Sequence, residues 1–224
     1  MPETVTFIGW HNSGKTTLVC QVVKRLKERG WKVAVIKSSS HEGIAFDAEG
    51  SDTARLKEAG AVAVALAAPD QLVIFQENRQ MPLPALAHRF FPDADLVIGE
   101  GFKKASGVDK IEVAPSGSAP ELFRQAPQVV AVVTSQEAPG VMVFRPDEVD
   151  ELAQFLEKRY ILKDRDKPAA SLLVNGRSIP LKFFVQQAIA GAVSGLVDSL
   201  KGTKGAETIE ILVKLPRDMD GKGK

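Results

Sequence analysis

Residues 4–17 read TVTFIGWHNSGKTT, and the fold is decided there. Thr4–Ile8 is a short, β-prone apolar run. Gly9 to Thr16 spells G-x-x-x-x-G-K-T, and an amphipathic stretch follows at once. Strand, glycine-bounded loop and helix, in that order, are the context of a phosphate-binding loop. Each part has a physical task. Gly9 and Gly14 let the backbone turn so that successive amides face inward as an anion nest. The helix that follows directs its positive end at the same point. Lys15 adds a full charge for the β- and γ-phosphates of a nucleotide, and the Thr16 hydroxyl is placed to ligate Mg²⁺.

Outward from the loop, Leu18, Val19, Val22, Val23 and Leu26 recur at helical spacing within Thr16–Arg29, and Gly30 stops the helix. The lone cysteine, Cys20, is expected buried on this helix. Trp31–Lys37 is nearly all apolar at its centre, which predicts a buried parallel strand and completes a βαβ unit. The polar stretch 38–53 follows the carboxyl end of that strand, where ligands bind in open α/β sheets. Asp47 is its candidate for the metal or a water near the γ-phosphate. Asp52 is read as a helix cap for Thr53–Ala59, and His41 as a solvated loop residue. Ala61–Ala67 and Gln71–Gln76 predict a hairpin around Pro69-Asp70, and Leu83–Phe91 predicts a helix.

The second informative stretch is DLVIGEGFK, residues 95–103. An apolar strand ending in an acid beside a phosphate loop is what a Walker B strand supplies, so Glu100 is the acid expected to orient the metal shell or the attacking water. Asp95 falls at the other end of the strand. Lys110–Val113 and Gln128–Val133 predict two further strands. Glu137, after the second of them, stands where many GTP-binding proteins place an acid that reads guanine, although the surrounding Thr134-Ser135-Gln136-Glu137 lacks the usual N/T-K-x-D. Pro146–Tyr160 predicts an amphipathic helix.

A charged stretch up to Pro168 then reads as a linker, over 161–170. Residues 171–216 read as a ββαβ appendage: a hairpin about Asn175-Gly176, a helix over 182–200 and a last strand over 208–215. Residues 217–224 are expected to be disordered. The fold class is therefore α/β. A mostly parallel, P-loop NTPase-type sheet flanked by helices spans residues 1–160, with a small α+β appendage beyond it.

Composition narrows the function classes. The 224 residues carry a net charge of +1, which argues against bulk nucleic-acid binding. With one cysteine there is no internal disulfide, as in a reducing cytoplasm. No apolar run is long enough for a membrane span, and no signal peptide is expected ahead of the first strand.

With these residues in view, the chain resembles the MobB family, the GTP-binding adapters of molybdopterin-guanine dinucleotide synthesis. Three pieces carry the resemblance over about residues 4–160. They are the loop GWHNSGKTTL; the segment from Lys37 through Asp47, Gly50, Asp52, Thr53 and Arg55 to residues 59–61; and DLVIGEGFK followed by KIEV. The resemblance implies a P-loop α/β fold, a homodimer, GTP and Mg²⁺ as ligands, and weak GTP hydrolysis. It also implies association with the guanylyltransferase that joins GMP to molybdopterin. Carried across, Gly9, Trp10, His11, Asn12, Ser13, Gly14, Lys15, Thr16 and Thr17 would hold phosphates and metal. Asp47 and Glu100 match acids near them, and Lys37 and Lys103 match lysines that would contact substrate or phosphate. The histidine-rich run of many members is reduced here to Lys37-Ser38-Ser39-Ser40-His41, and the 168–215 extension resembles one carried by some members.

Three other readings compete. A small-molecule kinase would need an arginine-rich lid, yet Arg55, Arg79 and Arg89 are scattered. A metallochaperone GTPase would need a Cys/His ligand set, which three histidines and one cysteine do not form by spacing. A non-catalytic scaffold would hold nucleotide only as a structural ligand.

Overall fold

Six of the eight strand-forming runs up to Phe144 pair into one sheet in a computed structural model that describes residues 2–42, 48, 50–78, 80–163, 170–175 and 177–215. In chain order the strands are β1 (Glu3–Ile8) and β2 (Val33–Lys37), the antiparallel pair β3 (Ala63–Ala67) and β4 (Leu72–Gln76), then β5 (Leu96–Glu100), β6 (Asp109–Val113), β7 (Val129–Val133) and β8 (Met142–Phe144). Six of them form a parallel sheet in the order β2-β5-β1-β6-β7-β8, and β3 with β4 stands apart as a hairpin. The α/β class and the mostly parallel sheet are as expected.

One face of the sheet is covered by α1 (Lys15–Glu28) and α4 (Val149–Leu156). Leu18, Val19, Val22 and Leu26 of α1 join Leu152, Ala153 and Leu156 of α4 over Val5, Phe7, Ile98, Ile111 and Val133. Each large side chain buried this way contributes about 1.5–3 kcal/mol. Between them in sequence lie α2 (Asp52–Glu58) and α3 (Leu83–Phe90). The α3 side is so close at Gly99 that any side chain there would force Leu83 and Thr6 to shift. A Cβ there would come within 2.6 Å of Leu83 Cδ2 and 2.8 Å of Thr6 Oγ1.

The connection from β6 to β7 contains only a short 3₁₀ turn, Leu122–Arg124. Two buried charges of β6 fasten it. Glu112 Oε1 accepts from the amides of Glu121 and Leu122, each at 2.9 Å, and Oε2 from Phe123 at 2.7 Å. Lys110 Nζ donates to Pro127 O at 3.1 Å and Val108 O at 3.3 Å. Burial pushes the Lys110 amine below its ordinary value.

Several expectations are corrected. β2 is an edge strand and half exposed, because only β5 flanks it. Cys20 is exposed, since the buried stripe of α1 runs through 18, 19, 22 and 26. Ser51, and not Asp52, caps α2: its side chain accepts from Ala54 N at 3.1 Å. Pro146 does not open α4. Residues 145–148 form a turn in which Arg145 N donates to Glu148 Oε2 at 2.7 Å, and the helix starts at Val149.

At its far end α4 continues as a π-helical turn, Glu157–Ile161. There Tyr160 OH donates to Asp109 Oδ2 at 2.8 Å, and Ile161 enters the core, so the chain is still packed where the linker was expected to begin.

Beyond it, β9 (Leu172–Val174) and β10 (Arg177–Ile179) form the expected hairpin. This hairpin groups with the first of two bodies, residues 1–165 with 172–179. The second body, residues 166–171 with 180–224, holds α5 (Phe183–Asp198). Thr208–Leu215 forms no strand: its β propensity finds no ladder among the described residues. Residues 217–224, expected to be disordered, lie outside the described residues.

Glu112→Ala should lower the free energy of unfolding by about 3 kcal/mol in urea titrations, because one buried and two partly buried amides lose a charged acceptor. A loss under ~1 kcal/mol would show that the β6–β7 connection is held by other means.

Candidate functional site

The site lies at the carboxyl end of β1. Gly9 closes the strand against β6: a Cβ there would collide with Val113 O and stand 2.6 Å from Ser13 Oγ. Asn12 and Gly14 take positive φ, at 58° and 82°, and wind the loop back on itself. Ser13 N donates to Trp10 O at 3.3 Å, and buried Ser13 forms the loop's floor. His11 is exposed at the loop's rim. Gly14 is the N-cap of α1, with no side-chain cap and no acid in the first turn. The first amides of α1, around Thr16 and Thr17, are therefore left to an incoming anion.

Three lysines converge on the loop. Lys15 Nζ donates to Trp10 O at 2.5 Å and to Ser13 Oγ at 3.2 Å. Lys103 Nζ sits 4.2 Å from the centroid of the Trp10 ring, a cation–π contact. It is delivered there by a sharp turn after β5, in which Gly101 and Phe102 both have positive φ, 107° and 27°. Lys37, last residue of β2, is in register with Glu100, last residue of β5. Lys37 Nζ donates to Glu100 Oε1 at 3.0 Å. Thr16 Oγ1 donates to the same oxygen at 2.7 Å.

The structure thus brings Lys15, Thr16, Lys37, Glu100 and Lys103 together. Glu100 is buried, while Lys37 is exposed over much of its length. Partial burial, and then the neighbouring charge of Lys103, hold the Lys15 amine below its ordinary value. Lys37 adds to this and Glu100 opposes it. By linkage, the charge on Lys15 costs the fold stability below the unfolded value of 10.5. That cost is relieved as pH rises from the lowered folded value toward 10.5.

Asp47 lies outside the described residues. Glu137 is exposed, in the turn after β7, two strands from β1 and past the same edge of the sheet. Asp95 stands at the opposite end, accepting from Lys32 N at 2.8 Å. His41 is exposed, and among the described residues no group of three His, Cys, Asp or Glu could hold a metal. Among the described residues no helix is long and apolar enough to cross a membrane. Sequence reasoning assigned Lys37 and Trp10 ligand contacts but no partner within the chain. Only the register of β2 on β5 and the positive-φ turn at 101–102 reveal those contacts.

A parallel sheet with a glycine-bounded loop after its central strand, a lysine inside the loop and an acid on the neighbouring strand end defines a P-loop NTPase-type protein. The family model for molybdopterin guanine dinucleotide synthesis protein B, MobB, matches residues 4–135, and the chain belongs to that family. The molybdopterin-guanine dinucleotide biosynthesis adapter protein of Haemophilus influenzae is 41% identical over 98 residues, 43% of this chain and 54% of that protein. A relative from Methanocaldococcus jannaschii is 24% identical over 238 residues, 96% of this chain and 99% of its own, so the C-terminal extension falls within that match. A crystal structure of molybdopterin-guanine biosynthesis protein B superposes with a TM-score of 0.57 at 32% identity, covering 69% of this chain and 97% of that one.

Replacing Lys103 by Met should raise the titration midpoint of the Lys15 amine, read by NMR of the lysine side chains, because a like charge is removed. A midpoint that stays or falls would mean that Lys103 does not act on the loop.

Proposed function

We propose that this chain is a GTP-binding adapter that hydrolyses GTP slowly and serves the guanylyltransferase joining GMP to molybdopterin. The observation that carries the reading is the cluster at the mouth of the Gly9–Thr17 loop, where Glu100 accepts from both Thr16 and Lys37. The loop amides, Lys15 and Lys103 suit a triphosphate. The Thr16 hydroxyl and the Glu100 carboxylate are hard oxygen donors of the kind that hold Mg²⁺ together with nucleotide phosphates and water. Bound there, Mg²⁺ would offset charge developing on the phosphates. Glu100 orients the metal shell or the attacking water.

Slow turnover follows from what surrounds Lys15. Among the described residues the charges acting on it are Lys103, Glu100 and Lys37, and none of these is an arginine. An arginine finger contributes roughly 10³–10⁵ in rate. Glu137, beyond β7, is the acid proposed to read guanine. Exposed Val62, Leu66, Leu72 and Ile74 on and beside the β3–β4 hairpin support a homodimer. The protein is taken to act in the cytoplasm. The adapter role rests on the relatives that carry that description.

Lys15→Ala should abolish binding of a fluorescent GTP analogue. Glu100→Gln should keep affinity within about threefold and slow phosphate release at least tenfold. Equal loss of affinity in both variants would remove the division of roles. Glu137→Gln should narrow the preference for GTP over ATP in competition, and an unchanged preference would exclude it as the base reader. Pull-down of the guanylyltransferase by the GTP-loaded protein tests the adapter role.

A further inference from the structure

Lys37 already places a positive charge against both oxygen donors that the proposed reading gives to a divalent cation. Its ammonium is 3.0 Å from Glu100 Oε1 and 3.5 Å from Thr16 Oγ1, and those two oxygens are 2.7 Å apart. The other two lysines are engaged elsewhere. Lys15 bonds Trp10 O and Ser13 Oγ, and Lys103 rests on the Trp10 ring. Glu100 is only 7% exposed, and a buried carboxylate without a cation is costly. The ammonium and a divalent ion cannot share the seat, because like charges at contact repel strongly in a partly buried site.

We propose that Lys37 is the counter-cation held by Glu100 and Thr16, and that loading with Mg²⁺-nucleotide is an exchange. The ammonium leaves Glu100 and Thr16 and turns to the phosphates. This rests on the reading of the site as a Mg²⁺-nucleotide seat and adds a selectivity to it. A metal ion arriving alone must displace Lys37 and offers it no anion to go to. A metal ion arriving with a triphosphate supplies one. The loop therefore rejects free divalent ions and accepts the nucleotide complex.

The backbone allows this without rearrangement. Lys37 is held in register with Glu100, and Ser38 N donates to Glu100 O at 2.8 Å. The side chain, 62% exposed, is a point charge on a flexible stem that can swing while β2 stays in place.

The experiment is Mn²⁺ binding without nucleotide, followed by electron paramagnetic resonance. Wild type and Lys37→Arg should bind Mn²⁺ weakly, Lys37→Met and Lys37→Gln at least tenfold more tightly, and adding Glu100→Gln to Lys37→Met should remove the gain. Unchanged or weaker Mn²⁺ binding in both neutral variants overturns the proposal. So does an equal gain in Lys103→Met, which would reduce the effect to bulk charge. A readout on the unaltered protein covers the case in which the variants do not fold. The ¹⁵N ammonium resonance of Lys37 should move on adding GTP with Mg²⁺, and stay in place with the same Mg²⁺ alone. A resonance that GTP with Mg²⁺ leaves unmoved, although calorimetry shows the complex bound, overturns the exchange. Failure of wild type to bind GTP at all would instead defeat the nucleotide reading, while the metal-only comparison would still decide the role of Lys37.

Discussion

The register of three parallel strands governs everything at this site. β2, β5 and β1 are aligned so that Lys37, Glu100 and Phe7 lie side by side near their carboxyl ends, two residues before the loop begins at Gly9. A slip of one residue would turn Glu100 to the other face of the sheet and take it from Thr16. The register is fixed by packing and not by the charges. Val5, Phe7, Leu96 and Ile98 are fully buried, and Gly99 fits between Thr6 and Leu83 only because it has no side chain. The hydrophobic core sets the chemistry's geometry from below.

The sheet is finished differently on its two faces. α1 and α4 cover one with an apolar layer of the usual kind. On β6 the side chains that alternate with Ile111 are Lys110 and Glu112, both buried, and they hold the helix-free connection to β7 by backbone hydrogen bonds. Buried charges are tolerated here because each finds polar partners among the backbone groups of the loop it organises. The match to the MobB family over residues 4–135 spans this β6–β7 region as well as the loop.

Much of this was legible in the sequence. The loop from Gly9 to Thr17 and the strand ending in Glu100 were readable because their chemistry demands particular residues at fixed spacing. The β3–β4 and β9–β10 hairpins were readable from turn residues. Where the reading departed from the structure, a tertiary effect had decided. β2 looked buried from composition, but its place at the sheet edge depends on strand order. Cys20 fell off the buried stripe by one position. Tyr160 and Ile161 sit in a charged run, yet Asp109, fifty-one residues from Tyr160, draws that run into the core. Thr208–Leu215 has the composition of a strand but pairs with none among the described residues. The contact between Lys103 and Trp10 was out of reach, because it depends on two consecutive left-handed residues after β5.

The three ammonium groups around the loop belong to a molecule whose overall charge is only +1. Their attraction is therefore a local field, offset by carboxylates elsewhere on the surface, and at physiological ionic strength it fades over about 8 Å. Such a field does little to hasten first encounters across solution. It acts once a polyanion is already at the rim, as retention and not as steering. Added salt should accordingly shorten the lifetime of a bound polyanion more than it lowers the rate of arrival.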